Sequence, residues 1–333
     1  MWSIALNTDN TILVEEAAVI QPLIDVLLAT YNGERFLSEQ LESLCAQSYR
    51  NFRLLVSDDG SCDATLAIVE SFAAKLPSGC VRWVENPHRG CGPARNFEVL
   101  MSASRGDALA NWVAFCDQDD VWLHQKLERL AEEMGLLEAE DPNIPCLVHT
   151  DLRVVDDQLC TIAPSFVVQQ GIDIEKVSLP TLLSVNCVTG CAMMVNRALL
   201  DIALPIPRDV VMHDWWCALL SCAGRRSFIA ESLVLYRQHG GNQIGAKGRS
   251  LNDRFGRALR DGRATLRRVI ALGRATVRQA TALEIRLRDS GRPATDVETY
   301  LRWRSRPLWA RALSSRCYYQ GPTLDNLCRL LLW

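Results

Sequence analysis

No stretch of the 333-residue chain reaches the roughly 18–20 uninterrupted apolar residues of a membrane-spanning helix. Met1 to Asn10 lacks the basic start and unbroken apolar core of a secretory leader, so the chain is expected in the cytoplasm. Its 13 cysteines are an odd number without a repeated spacing. The two close pairs, Cys187/Cys191 and Cys217/Cys222, lack the two-residue spacer and second Cys/His pair of a structural zinc site. Most cysteines lie in apolar runs such as Val113-Ala-Phe-Cys116, which reads as buried free thiols in a reducing compartment. Net charge is only −3, which advertises no polyanionic partner and no nucleic acid. Internal repeats and low-complexity segments are absent. Lysine is missing from residues 251–333, where 17 Arg face 7 acids, while residues 1–250 hold 19 basic and 32 acidic residues. That asymmetry sets the C-terminal segment apart.

What is present reads as a chain of short buried strands and helices. Residues 1–21 show no clear period and read as an irregular extension. Ile24 to Thr30 is an apolar run that stops at Tyr31-Asn32-Gly33, and Phe36, Leu37, Gln40, Leu41 and Leu44 then recur at helical spacing. Phe52 to Val56 is a second strand, closed by Ser57-Asp-Asp-Gly-Ser61 and followed by a helix marked by Thr65, Ile68, Val69 and Phe72. Val81–Val84 and Trp112–Cys116 are further strands, the latter followed by Asp117-Gln-Asp-Asp120 and a helix over Lys126–Leu137. This alternation predicts an α/β fold with a mostly parallel central sheet. In such sheets ligands bind beyond the carboxyl ends of the strands, where these polar clusters fall. Cys146–His149, Cys191–Val195 and Phe228–Tyr236 extend the sheet. Asn252 to Arg288, with Phe255, Leu259, Leu266, Val269, Ile270, Val277, Leu283 and Leu287 among arginines, reads as a basic amphipathic helix ended by Gly291-Arg-Pro293.

The sharpest local feature is Asp117-Gln-Asp119-Asp120. Three carboxylates after a buried strand repel one another unless a cation neutralises them, and hard divalent ions such as Mg2+ or Mn2+ take carboxylate and phosphate oxygens. A helix N-cap would need only one of the three. Asp58 and Asp59 form a second acidic turn, read either as a capped strand-to-helix turn or as a partner for a base or ribose. His213-Asp214-Trp215-Trp216 places an acid among aromatics, which suits a general base with its pKa pushed toward neutrality. The flanking Trp faces are candidates for stacking on sugar rings; a helix N-cap is the plainer alternative. Tyr236-Arg237-Gln-His239-Gly-Gly-Asn242 ends a strand in a loop, with Arg237 as a phosphate partner and His239 as a metal ligand, or else as a surface loop. Asn186 to Met194, a polar turn entering an apolar strand, reads either as a plain connecting turn or, from its position, as part of the acceptor site.

In order along the chain, these segments resemble the family 2 glycosyltransferases, whose fold is the nucleotide-sugar-binding α/β domain called GT-A. The likeness runs through Leu28-Ala-Thr-Tyr-Asn-Gly33, Gln40-Leu-Glu-Ser-Leu44, Ser57-Asp-Asp-Gly-Ser61, Asn86 to Asn96, Phe115-Cys-Asp-Gln-Asp-Asp-Val-Trp122, Val188-Thr-Gly-Cys191, His213-Asp-Trp-Trp216 and Arg237-Gln-His239, about 215 residues in all. The Asp-Gln-Asp-Asp-x-Trp and His-Asp-Trp-Trp variants look most like the bacterial rhamnosyltransferase-type branch, enzymes of surface polysaccharide and O-antigen. The resemblance implies that Thr30, Tyr31 and Asn32 line the nucleotide pocket, that Asp58 or Asp59 holds the base or ribose, and that Asn96 and Asp117 also face the nucleotide-sugar donor, beside Arg237 as the phosphate partner read above. It implies a divalent metal, Mn or Mg, on Asp119 and Asp117 with His239, and a catalytic base at Asp214. Thr189, Gly190, Trp215 and Trp216 are assigned to the acceptor. His213 departs from the acid that many relatives carry there.

The expected boundaries are an N-terminal extension over 1–21, a GT-A domain over 22–248 and an Arg-rich, mainly helical region over 249–333. The expected reaction is inverting transfer from dTDP-rhamnose, or next a UDP-sugar, to a glycan or lipid-linked acceptor. The Arg-rich helix is read either as a peripheral contact with the inner membrane or as a helical cap or oligomer contact. Two rivals are a nucleotidyltransferase, which would want a basic Gly-rich loop that Thr30-Tyr-Asn-Gly-Glu34 does not supply, and a non-catalytic nucleotide-sugar-binding protein, which would not need a base at Asp214.

Overall fold

The structure, a computed structural model, describes residues 3–6, 12–15, 21–239, 262–307 and Arg311. Residues 1–21 are not wholly irregular: β1 (Ser3–Leu6) and β2 (Ile12–Glu15) pair antiparallel. Strands of four residues are too short to display a period beside Asn7-Thr-Asp-Asn10.

The main sheet grows from β3 (Ile24–Thr30). Its apolar run is buried on both faces, as a strand flanked by parallel neighbours and covered by helices must be. It pairs parallel with β4 (Phe52–Asp58) on one side and β6 (Trp112–Asp117) on the other, and β5 (Val81–Trp83) extends β4. Beyond β6 the sheet turns mixed. β10 (Met193–Asn196) runs antiparallel between β6 and β8 (Cys146–Val155), and β11 (Arg225–Arg237) lies parallel to β8. β7 (Val121–Trp122) closes the β11 edge, and β9 (Thr161–Ala163) pairs with β8. The long pairings are parallel, as expected. Cys191, expected to open a strand, instead lies in a 3-10 turn, Gly190–Ala192, before the strand begins at Met193.

Helices α1 (Leu37–Cys45), α2 (Thr65–Ala73), α3 (Pro93–Asp107) and α4 (Lys126–Glu138) connect the strands. α3 begins at Pro93 after Gly92, whose φ of 83° is the left-handed conformation that glycine tolerates best. The short α5 (Phe166–Gln170) and α6 (Leu179–Leu182) precede α7 (Arg197–Ala203) and α8 (His213–Leu220). α9 (Gly262–Asp289) and α10 (Thr295–Arg304) follow. Residues 252–261 of the predicted basic helix, with Phe255 and Leu259, lie outside the described residues. Among the described residues no helix is long and apolar enough to cross a membrane.

Alternation along the strands divides the core. Leu27, Leu55 and Phe115 point to one face, while Val26, Leu28, Val56, Ala114 and Cys116 point to the other with α1 and α4. The first face also takes Trp215, Trp216, Leu283, Leu287, Val297, Tyr300 and Trp303, so the described C-terminal helices share one core with the sheet. Each such fully buried Leu contributes about 1.5–3 kcal/mol. The buried Asp25 of β3 is neutralised by Arg53 (2.5 and 3.0 Å) and accepts from Ser104 (2.6 Å). The eleven described cysteines are free, but Cys45, Cys62, Cys160 and Cys222 are exposed rather than buried.

Candidate active site

Because β4, β3 and β6 run parallel in adjacent register, their carboxyl ends bring Asp58, Thr30 and Asp117 to one rim. The Thr30 hydroxyl donates to Asp58 Oδ1 (2.8 Å), and Asp58 also accepts from the backbone N–H groups of Gly60 (2.9 Å) and Ser61 (2.7 Å). Asp58 therefore closes its own turn. Asp59 is buried and accepts from the N–H groups of Cys91 (3.0 Å) and Gly92 (2.8 Å) and from Asn86 Nδ2 (3.2 Å). Asn96 donates to the Ser57 carbonyl (2.9 Å) and accepts from Asn86 (3.2 Å). These polar residues, read from sequence as facing a donor, tie the rim together through their own hydrogen bonds. Tyr31, 51% exposed, is the open surface of the first loop, and Asn32 holds the left-handed turn beneath it with φ 46°.

The acidic turn after β6 sends its carboxylates in three directions. Burial pushes Asp117 up to about 7, helped by the charges of Asp119 and Asp214. Asp119 Oδ2 meets His239 Nε2 at 2.8 Å. Asp120 is fully buried; Oδ1 accepts the Arg237 backbone N–H (3.1 Å), and Oδ2 has no nitrogen or oxygen donor. Ligand atoms of Asp117, Asp120 and Cys191 lie within 4.8 Å of one another. The mutual repulsion of these carboxylates and the orphaned Asp120 Oδ2 fit a divalent cation held by oxygen atoms of the acidic turn, whereas the buried Cys191 thiol is a poor ligand for hard Mn2+ or Mg2+. Beside it stands Lys126, buried, its Nζ donating to the Cys191 carbonyl (2.5 Å) and lying over the Trp122 ring. Burial pulls its ammonium down to about 7. Sequence reasoning had Asp120 in the acidic cluster but missed Cys191 and Lys126 beside it, because nothing local marks a lysine in the first turn of α4 as buried.

Asp214 lies in the first turn of α8. Oδ2 accepts the Gly190 N–H (3.1 Å) and Oδ1 the Trp215 N–H (2.6 Å). Burial outweighs these hydrogen bonds and lifts its carboxyl to about 6. Asp214 and Asp117 feel one another's charge, so the predicted base and the acidic turn share one site. Gly190 packs closely here: a Cβ would stand 3.0 Å from His213 Nε2, a tight contact, and 3.5 Å from Asp214 Cβ, an ordinary one. Gly190 thus acts on Asp214, while Thr189 remains partly exposed beside it.

Three expectations are corrected. Trp215 and Trp216 are no sugar platform: they are 5% and 0% exposed, and their indole N–H groups donate to the carbonyls of Leu182 (2.6 Å) and Ala203 (3.0 Å). Arg237 is no open phosphate partner. It is 1% exposed, stacks on Phe36, and donates to the carbonyls of Asp119 (2.9 Å) and Asp157 (2.6 Å) and to Glu39 (2.6 Å). It fastens the acidic turn to α1 and β11. Gly240 to Asn242 of the predicted loop lie outside the described residues.

A mixed, mostly parallel sheet with loops, an acidic turn and a buried carboxylate at its carboxyl edge has the architecture of a GT-A glycosyltransferase. Residues 25–200 match the family described as Glycosyl transferase family 2, and the chain belongs to that family. It is 28% identical over 235 residues to the dTDP-rhamnosyl transferase RfbG of Shigella flexneri, covering 66% of this chain and 74% of that protein. It is also 28% identical over 181 residues to WfgD of Escherichia coli, a UDP-Glc:alpha-D-GlcNAc-diphosphoundecaprenol beta-1,3-glucosyltransferase, covering 54% of this chain and 62% of that one. For three further relatives, glycosyltransferases of Rickettsia species, the match spans 32–37% of the relative's length. The fold is similar to the mannosyltransferase PcManGT of Pyrobaculum calidifontis, solved with GDP-Man and Mn2+ (TM-score 0.51, 19% identity, 94% of this chain and 87% of that one). It is also similar to residues 1–349 of S. aureus TarS with UDP-GlcNAc (TM-score 0.52, 18% identity, 77% and 66%).

Proposed function

We propose that this glycosyltransferase moves rhamnose from dTDP-rhamnose, with UDP-hexoses the next donors, to a glycan or lipid-linked acceptor in bacterial surface-polysaccharide synthesis, inverting the anomeric carbon. The observation that carries the chemistry is Asp214, a carboxylate lifted to about 6 by burial yet held in place by two backbone N–H groups, next to Asp117. At neutral pH it is ionised and close enough to neutrality to accept a proton. The acceptor hydroxyl gives its proton to Asp214 as its oxygen bonds to the anomeric carbon, and the bond from that carbon to the diphosphate oxygen breaks. Thr30, Tyr31 and Asn32 form the nucleoside end, and Asp58, Asp59 and Asn96 keep that end rigid. Asp119 and Asp117, with His239, would hold a divalent cation such as Mn2+ or Mg2+, which supplies positive charge to the leaving diphosphate. Thr189 and the Gly190 turn stand on the acceptor side. The rhamnose reading rests on likeness to the Shigella protein.

The outer face of α9 exposes Arg267, Arg274, Arg278 and Arg288, and this row suits the anionic headgroups of an inner leaflet that carries a lipid-linked acceptor. Arg278 and Arg288 also pair with Asp209 (2.9 Å) and Glu298 (2.9 Å). Changing Arg267, Arg274 and Arg278 together to Glu is expected to abolish sedimentation with vesicles containing anionic lipid; unchanged sedimentation removes the membrane reading. The activity is tested by nucleotide release across dTDP-rhamnose, UDP-sugars and GDP-sugars, with and without Mn2+ or Mg2+. Metal-dependent release from one donor supports transfer and names the sugar nucleotide. No release and no thermal shift with any donor, even with extracted lipid-linked glycan present, overturns it.

A further inference from the structure

Within the 117–120 turn, Gln118 is the uncharged residue, and the chemistry above makes no use of it. Its carboxamide lies across the loop after β3. Oε1 accepts the Tyr31 N–H at 2.8 Å and Nε2 donates to the Tyr31 carbonyl at 2.9 Å. This two-point exchange is the pairing one strand residue makes with its antiparallel neighbour, performed here by a side chain. The room for it exists because residue 33 is glycine: a Cβ there would stand 2.3 Å from Gln118 Oε1 and 2.6 Å from its Cδ. Gly33 is not among the glycines with positive φ, so a side chain there would disturb the Gln118 carboxamide and not the backbone. The far side of the loop is tied elsewhere. Asn32 N–H donates to Ser61 Oγ (2.8 Å), Cys62 N–H to Asn32 Oδ1 (2.9 Å) and Gly33 N–H to Thr65 Oγ1 (2.7 Å). Losing Gln118 would leave the loop folded against α2 and cut only its link to the acidic turn.

We propose that Gln118 is a positioning residue, clamping the Tyr31 backbone so that the nucleoside loop and the carboxylates of the 117–120 turn keep a fixed separation, with Gly33 as the space that admits the clamp. The inference rests on the proposed reading of this loop and turn as the two ends of the donor site. A nucleotide-sugar must touch both ends at once, whereas a free nucleoside touches one. Loosening the clamp weakens the first and spares the second.

Gln118→Ala is expected to raise the donor KM about tenfold, the order set by two hydrogen bonds, with kcat within about threefold and free-nucleoside binding unchanged. Gly33→Ala in the parent raises the donor KM in the same direction, because the new methyl displaces the carboxamide. Gly33→Ala added to Gln118→Ala produces little further change, because the clash is gone. Independent, multiplying effects of the two substitutions overturn the clamp, as does an unchanged donor KM in Gln118→Ala. Should the parent bind no donor at all, the proposed function fails separately, and the clamp is then read from thermal unfolding: Gly33→Ala lowers Tm in the parent and not in Gln118→Ala, and equal lowering in both overturns it.

Discussion

Replacing Asp214 by Asn removes one charge while keeping the side chain's shape, and the structure sets what should follow. Burial lifts the Asp214 carboxyl from 3.8 to about 6, which means the ionised form is disfavoured in the fold by about 3 kcal/mol. The folded value lies above the unfolded one, so ionised Asp214 opposes folding above pH 6, and the penalty disappears below the unfolded value near 4. Asn removes that penalty but offers one acceptor to the two N–H groups of Gly190 and Trp215, leaving one unsatisfied at about 1–3 kcal/mol. The two changes offset, and Tm at pH 7.5 should move by only a few degrees. Turnover should fall by about 10²–10⁴, the usual contribution of a positioned base, with donor binding by calorimetry intact. The parent enzyme supplies an independent check. With donor and metal saturating, kcat should fall about tenfold between pH 7.5 and pH 5 as Asp214 takes up its proton. Asp117, raised to about 7, should show instead in the pH dependence of metal binding. A folded Asp214→Asn enzyme turning over within threefold of the parent, or a kcat flat down to pH 5, would refute the assignment.

Trp216→Ala should cost about 3–5 kcal/mol in denaturant unfolding, because it empties a fully buried site, whereas Trp215→Phe should lower Tm through the lost bond to Leu182 and leave the acceptor KM unchanged. Arg237→Ala should lose about 3–5 kcal/mol of stability, since Glu39 and two carbonyls lose their donor; a stable variant with only a raised donor KM would restore the phosphate reading. Chelation with EDTA should stop nucleotide release and added Mn2+ or Mg2+ restore it, with Asp119→Asn shifting the metal concentration required upward by at least about tenfold.

The first half of the sheet was legible because its signals are local. Ile24 to Thr30 is a continuous apolar run closed by a turn, and parallel neighbours bury such runs on both faces. The antiparallel course of β10 was not legible, since pairing direction depends on residues far apart in sequence. At the site, Asp117, Asp119, His239 and Asp214 were visible as residue types, and the structure brings them to one end of the sheet. Charge alone misled at Arg237: its partner Glu39 is 198 positions away, and no local pattern distinguishes a sealed guanidinium from an open one. Trp215 and Trp216 carried a signal that was outweighed. His213-Asp-Trp-Trp-Cys-Ala-Leu-Leu220 is apolar nearly all round, the mark of a helix enclosed by protein. Lys126 gave no signal, because the burial of a single lysine against the Cys191 carbonyl and the acidic turn is decided by tertiary packing.

The shared core of α8, α9 and α10 has a practical consequence for anyone dissecting this enzyme. Charge composition suggests a cut near residue 249, separating an acidic catalytic piece from a basic appendage. Packing forbids it. Gln279 accepts the Val211 N–H (2.9 Å) just ahead of the helix that carries Asp214, and Arg286 donates to the Leu204 and Pro205 carbonyls (3.1 and 2.7 Å). Leu283, Leu287, Val297, Tyr300 and Trp303 fill the same interior as Trp216. A fragment ending at 248 would present that interior to water as a sticky wound beside Asp214. The arginine-rich helices are one wall of the same core, and whatever touches their outer face leans on the helix that carries Asp214.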